Sequence, residues 1–426
     1  MRKNRLAAAC AAACVGTALL PGLAHATDGY FQTGYSVRSV GMGGVGIAFP
    51  QDALAGATNP AGMALVGNRL DVGLTVFRPD RTARIDGTTY SGNAQSNFLI
   101  PEIGYNHMIT PDMAVGISVY GNGGMNSGYN QMDQRTGLLP GAGVDLEQTF
   151  ISPSFAWRVT PDNTIGIALD LVHQIFRANG LNNFARSQFS IDPSSLMAPG
   201  HDSSNGVGVR IGWIGQVAPG LSLGATFQPK IHMSSFGAYR GLFADGGSFD
   251  IPANYGVGVA WKATPTWTVA ADVERILYSQ VSSIANSSSP LMSLAMGTPA
   301  PLLGAPGGAG FGWSDVTVVK LGAAWAYSDK LTLRAGWNHS DNPVSQSNVF
   351  FNTIAPGVVK DHVSLGFTYA LSRKMDISGD YLHALKNSVT GSAPSFNPAT
   401  HQLAGQVPET LSMSQDLVGV ALSYKF

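Results

Sequence analysis

The chain has 426 residues, with 25 Lys and Arg against 26 Asp and Glu and a formal net charge of −1, so no charge excess points to nucleic acid or an acidic partner. It is 44% hydrophobic and 12% charged, with 52 glycines, and after residue 26 no apolar run approaches the ~18 residues of a spanning helix. If the mature chain crosses a membrane, it does so with strands.

Arg2, Lys3 and Arg5 precede an Ala-rich apolar run through Leu19-Leu20 to Ala24-His25-Ala26, a small-x-small cleavage signal. This predicts a signal peptide over residues 1–26 and a mature chain beginning at Thr27. Both cysteines, Cys10 and Cys14, fall in that leader. The mature chain therefore forms no disulfide and offers no thiolate to a metal.

Residues 27–68 show no strand alternation and are rich in glycine, among them Gly34, Gly41, Gly43, Gly44, Gly46, Gly56 and Gly62. A compact segment of this length, placed ahead of a barrel, is expected to fold into the lumen as a hatch. Gly41-Met42-Gly43-Gly44-Val45-Gly46 spells the dinucleotide fingerprint but lacks the preceding strand and following helix that give the fingerprint its chemistry. It reads as tightly turning hatch backbone.

From Arg69 to Phe426, runs of about ten residues alternate apolar and small or polar side chains. Leu70, Val72, Leu74 and Val76 oppose Asp71, Gly73 and Thr75. Leu223, Ala225, Phe227 and Ile231 oppose Thr226, Gln228, Lys230 and His232, and Val363, Leu365, Phe367 and Tyr369 oppose Ser364, Gly366 and Thr368. A soluble sandwich buries the apolar parity, whereas a barrel shows it to lipid.

Six connections are short, at residues 109–112, 159–162, 218–220, 263–265, 328–330 and 372–374. They alternate with long ones at approximately 79–97, 122–145, 180–203, 236–248, 283–312, 341–357 and 386–411. Such asymmetry favours an all-β fold, a transmembrane antiparallel β-barrel of about 14 strands over residues 69–426, with both ends at the short-turn, periplasmic side of an outer membrane. Trp157, Trp261, Trp267, Trp325, Tyr327, Tyr369 and Tyr424 sit beside short turns on the outward parity, as an interfacial girdle does.

Gly41-Met42-Gly43-Gly44, Asp52-Ala53 and Thr58-Asn59-Pro60-Ala61-Gly62, between a leader and a barrel, resemble the FadL-type outer-membrane transporters of long-chain fatty acids and aromatic hydrocarbons. Arg334-Ala335-Gly336-Trp337 running into Asp341-Asn342-Pro343-Val344, and Ile251-Pro252 ahead of Tyr255-Gly256-Val257, resemble further signatures of that family. The resemblance implies a hatch-closed barrel, marked by Asn59, Pro60 and Ala61. It also implies ligand capture among external loops, passage to a lumenal pocket and passive sideways release through the wall. On it, Asn122, Gly123 and Gly124 occupy the place of an inward kink in the third strand, and Tyr424 and Phe426 resemble the terminal signal read by the barrel-assembly machinery.

The loops carry candidate groove residues, Phe184, Phe189, Leu196, Met197, Tyr239, Leu242 and Phe243, more apolar than a solvated loop requires. Arg210, Lys230, Lys320 and Arg334, with His232 beside Lys230, have the parity to face a ligand carboxylate in the lumen. The acids Asp71, Glu102, Asp272, Glu274, Asp376 and Asp380 share that parity and compete as partners. A ligand without a carboxylate stays open, as does a general diffusion porin with a water-filled lumen. The expected protein is a monomer that meets hydrophobic ligand and outer-membrane lipid and carries no cofactor or metal. It is not expected to be an enzyme, because consecutive strand residues His339-Ser340-Asp341 point to opposite faces and cannot converge.

Overall fold

In the computed structural model, which describes residues 28–397 and 402–426, the alternating segments form one antiparallel sheet closed on itself. The expected leader and Thr27 lie outside the described residues. The strands are β1 (Arg69–Ile85), β2 (Thr88–Ser91), β3 (Phe98–Met108), β4 (Met113–Asn126), β5 (Gly143–Thr160), β6 (Asn163–Asn179), β7 (Asp202–Ala218) and β8 (Leu221–Gln228). They continue with β9 (Asn254–Trp261), β10 (Trp267–Ile276), β11 (Val316–Ala326), β12 (Leu331–Ser340), β13 (Asp361–Ala370), β14 (Met375–Phe396) and β15 (Leu403–Lys425). β15 pairs with β1 from Arg69↔Lys425 to Ile85↔Glu409, which closes the wall. The four-residue β2 lies in line with β3 beside the far end of β1, so fourteen strands make the barrel.

The pattern is inside-out. Val72 is 46% exposed while its neighbour Asp71 is 3% exposed, and the same inversion runs along β1. Trp157, Trp261, Trp267, Tyr327, Tyr369 and Tyr424 are exposed at the short-turn end. There Trp267 stacks on Trp325 at 5.3 Å, and Phe426 lies between Tyr424 and Tyr105 at 6.2 and 5.8 Å.

The region expected as a long loop over 386–411 is largely sheet: β14 runs to Phe396 and β15 starts at Leu403. Its outward face is polar, where hydroxyl pairs such as Ser388–Ser412 (2.7 Å) and Thr390–Thr410 (2.9 Å) replace the apolar parity, while Val389 and Leu411 face inward. A strand rising beyond the bilayer has water on its outer face and no longer needs the apolar parity.

Residues 28–67 fill the lumen as short turns of helix, Val37–Val40, Ala55–Thr58 and the 3-10 turn Pro60–Leu65. Asn59 caps the last of these by accepting from Ala61 N at 3.1 Å, and its Nδ2 donates to Ile47 O at 2.7 Å and to Trp213 O of the wall at 3.0 Å. Arg38 binds Asp376 and Ser378, and Asp272 accepts from Gly46 N and Ile47 N at 2.7 and 3.0 Å. At Gly43, φ is +72°, and a Cβ on the facing Gly336 would lie 2.0 Å from Gly43 N. The glycine motif thus provides close backbone approach between hatch and wall.

Candidate ligand path

At the long-loop end, Phe184 and Phe189 meet edge to face at 5.5 Å and line a groove of about 590 Å³ together with Tyr90, Met132, Leu139 and Phe396. Its polar rim includes Asp133, Arg135 and Arg186. Arg135 is tied to Asp133 at 2.7 Å and Asp86 at 3.1 Å, and these carboxylates push its pKa further up. Arg186 is exposed and makes no ion pair among the described residues.

The other loop candidates lie beneath. Leu196 and Leu242 border a void of about 30 Å³ with Phe184, while Tyr239 and Phe243 pack on Phe176 at 4.7 and 4.6 Å. Met197 packs against the same apolar cluster and its sulfur accepts from Leu181 N. That cluster continues inward through Phe249, Tyr278 and Trp313 to Tyr30 and Phe31, and on to Tyr120 and Phe150. The seven predicted residues therefore share one apolar body, of which Phe184 and Phe189 face the open groove.

At the inner end of that body, β4 departs from its neighbour. The β3–β4 ladder stops at Ile103↔Val119, although β4 continues to Asn126 and β3 reaches back to Phe98. On the other side β4 stays paired with β5, with a bulge between Gly121 and Gly123 that leaves Asn122 unpaired in the register. Asn122 points inward, fully buried. Its Oδ1 accepts from Tyr35 Oη at 3.0 Å and its Nδ2 donates to Gln148 Oε1 at 3.1 Å. Gln148 passes the chain to Gln174 at 3.1 Å, and Gln174 donates to Phe249 O at 2.8 Å.

The N-terminal segment takes the place that β3 vacates on the inner side. Gln32 N donates to Asn122 O and Gly124 N donates to Tyr30 O, both at 3.0 Å, with Phe31 bridged to Gly123. Neither Gly123 nor Gly124 has positive φ. Gly123 is required for contact, because a Cβ there would lie 1.9 Å from Tyr30 O.

The candidate lumenal cations divide into two kinds. Lys320 is buried against Glu274 at 3.0 Å. Arg334 donates to Gln51 Oε1 and Thr368 Oγ1, each at 2.8 Å. Arg210 donates to Asn254 Oδ1 at 3.1 Å and Gln228 Oε1 at 2.5 Å. Neither arginine makes an ion pair among the described residues. Around Arg210, its own Nε, Gln228 Nε2 and Asn254 Nδ2 are buried donors without partners. They lie on the adjacent strands β7, β8 and β9.

Lys230 and His232 are not lumenal. β8 ends at Gln228, and beyond Pro229 the parity reverses: Ile231 is buried and bridges Ile251, while the His232 side chain is 79% exposed. Both side chains instead pair with Asp250 at 3.2 Å. Proline removes the ladder donor, so alternation cannot be carried across it.

Sequence reasoning missed Tyr90, Met132, Arg186 and Phe396 in the groove, and Tyr30 and Gln32 at β4. It also missed Gln148 and Gln174, whose signal was available as two amides on the inward parity of consecutive strands. His339 binds Asp361 at 2.8 Å while Ser340 is buried on the other face. Among the described residues no cluster of three His, Cys, Asp or Glu could hold a metal ion.

The family model described as outer membrane protein transport protein (OMPP1/FadL/TodX) matches residues 23–426. No curated protein sequence matches. Among solved structures, the Pseudomonas putida toluene transporter TodX is 19% identical with a TM-score of 0.67, covering 94% of this chain and 100% of that one. A Pseudomonas aeruginosa FadL homologue is 15% identical (TM-score 0.68; 93% and 100% covered). The Ralstonia pickettii toluene transporter TbuX is 20% identical (TM-score 0.63; 92% and 99% covered). At these identities the likeness establishes the shared barrel fold.

Proposed function

The chain belongs to the OMPP1/FadL/TodX family of outer-membrane transport proteins, and from that premise we propose that it conducts hydrophobic small molecules passively and releases them sideways through the wall. The ligand enters at the Phe184–Phe189 groove, follows the apolar body inward and leaves where β3 and β4 part. The long loops face outward from the cell, and the short turns and both ends of the barrel, Arg69 and Phe426, face the periplasm. One observation carries the reading: the β3–β4 ladder ends at Val119, beneath a continuous apolar cluster, and is closed from inside by Tyr30–Gln32 and Tyr35 of the N-terminal segment.

Two neighbours in structure are named for toluene, and a hydrocarbon needs no charged partner. Arg210, with three unpartnered donors on adjacent strands, supports a carboxylate-bearing ligand such as a long-chain fatty acid. A water-filled diffusion porin finds no support here, because hatch and ion pairs occupy the lumen. Deleting Asn122 and Gly123, which straightens β4, should abolish uptake of fatty acid and hydrocarbon by a folded barrel. Uptake at the parental rate would overturn the exit.

A further inference from the structure

The outward wall of β9–β12 bears a second concavity, of about 820 Å³, on the face opposite the hatch. Its floor is Ala271, Ala323 and Ala335, and its margins include Trp261, Val269 and Leu321. Cross-strand register explains the hollow. Ala323↔Ala335 places two small side chains side by side next to Val269, Ala271 lies beside Leu321 in the row that ends at Trp337, and Trp267↔Trp325↔Leu333 form the row on the other side. Its volume is in the ~300–1,000 Å³ range of ligand sites.

The hollow is not a portal. The β10–β11 and β11–β12 ladders are unbroken behind it, and the hatch presses on the inner side, where a Cβ on Gly322 would meet Met42 at 2.4 Å. Whatever fills it comes from the bilayer.

Two features identify the occupant. The stacked Trp267 and Trp325, with Trp261, place the lower rim at headgroup depth. The turns below, at residues 262–266, 327–330 and 371–374, carry Lys262, Lys330, Arg373 and Lys374 against the single acid Asp329. All four cations are exposed and make no ion pair among the described residues. By contrast, the β3–β4 and β5–β6 turns set Asp112 4.0 Å from Arg158.

We propose that this hollow is a binding site for an anionic diacyl phospholipid, one acyl chain lying on Ala271, Ala323 and Ala335 and the phosphate held by Lys262 and Lys330. The assignment of this lipid to the periplasmic leaflet rests on the orientation proposed above. Anionic head groups attract surface lysines by an amount that corresponds to about fivefold in affinity per residue.

Native mass spectrometry of the full-length folded barrel, after exchange into phosphatidylglycerol or phosphatidylcholine, tests it. Phosphatidylglycerol should be retained preferentially. Ala323→Phe, which fills the floor, should remove it, and Lys262→Gln with Lys330→Gln should lower its retention roughly twentyfold while leaving phosphatidylcholine unchanged. Equal retention of both lipids, or no effect of the lysine pair, would overturn the head-group assignment. Unchanged retention in a folded Ala323→Phe barrel would place the lipid elsewhere, and a dimer mass that Ala323→Phe dissolves would make the occupant a second copy. The readout is bound lipid, so a negative result leaves the uptake of hydrophobic compounds to be judged by its own assay.

Discussion

Gly123→Ala is the smallest change that acts on the proposed exit. The new Cβ would stand 1.9 Å from Tyr30 O and 2.8 Å from Tyr30 C, so the N-terminal segment must move off β4. Two backbone hydrogen bonds go with it, Gln32 N to Asn122 O and Gly124 N to Tyr30 O. At a net 0.5–1.5 kcal/mol each, docking should weaken by about 1–3 kcal/mol. With about 1.4 kcal/mol per decade, the undocked population should rise roughly 5- to 150-fold. The β4–β5 ladder is untouched, so the barrel should fold. Amide exchange at Tyr30–Gln32 and hydrophobic uptake by proteoliposomes should accelerate together, while Gly200→Ala, with nothing within 4 Å, serves as the control. Parental exchange and parental uptake in folded Gly123→Ala protein would refute the idea that this segment closes the gap.

Arg210→Gln should weaken fatty-acid binding by about 1.5–3 kcal/mol and leave toluene binding unchanged, as titration of the purified protein would read; equal loss of both ligands would mean a packing defect. Asp28, in the hatch segment, is pushed up to about 7, chiefly by burial and against the pull of Lys320. A carboxyl raised in the docked state holds a proton that the released state gives up above its ordinary value of 3.8, so docking should be firmest below about pH 4, weaken as pH rises towards 7 and level off above it. Exchange at Tyr30 should follow that course, and Asp28→Asn should flatten it. Deleting Phe426, which lies against Tyr105 and Tyr424, should lower the yield of heat-modifiable barrel; normal yield would deny it a part in assembly.

The barrel wall was legible because lipid and lumen impose opposite demands on successive residues, as Val72 and Asp71 show. The hatch was legible from its glycines and its Asn59-Pro60-Ala61 element. Strand ends were not, since β14 and β15 rise past the apolar band on Ser and Thr pairs that carry no hydrophobic period. His232 was misplaced because one proline reset the parity. The closure of β4 was invisible for another reason. Tyr30 and Gln32 meet Gly121 to Gly124, about ninety residues away in sequence, through two backbone hydrogen bonds and one from Gln32 Nε2 to Gly121 O, and pairing to backbone atoms leaves no side-chain pattern on β4. Likewise, the distinction between Lys320, paired with Glu274, and Arg210, held by neutral amides, depends on neighbours that parity alone does not specify.

Where the ligand emerges tests lateral release most directly. Proteoliposomes carrying a bilayer-embedded reporter and an entrapped aqueous acceptor would be given a fluorescent long-chain fatty acid and timed at both. Lateral exit between β3 and β4 predicts that the bilayer reporter responds first and that a folded barrel lacking Asn122 and Gly123 gives no signal at either. Arrival at the aqueous acceptor first, in the parental protein, would contradict the account.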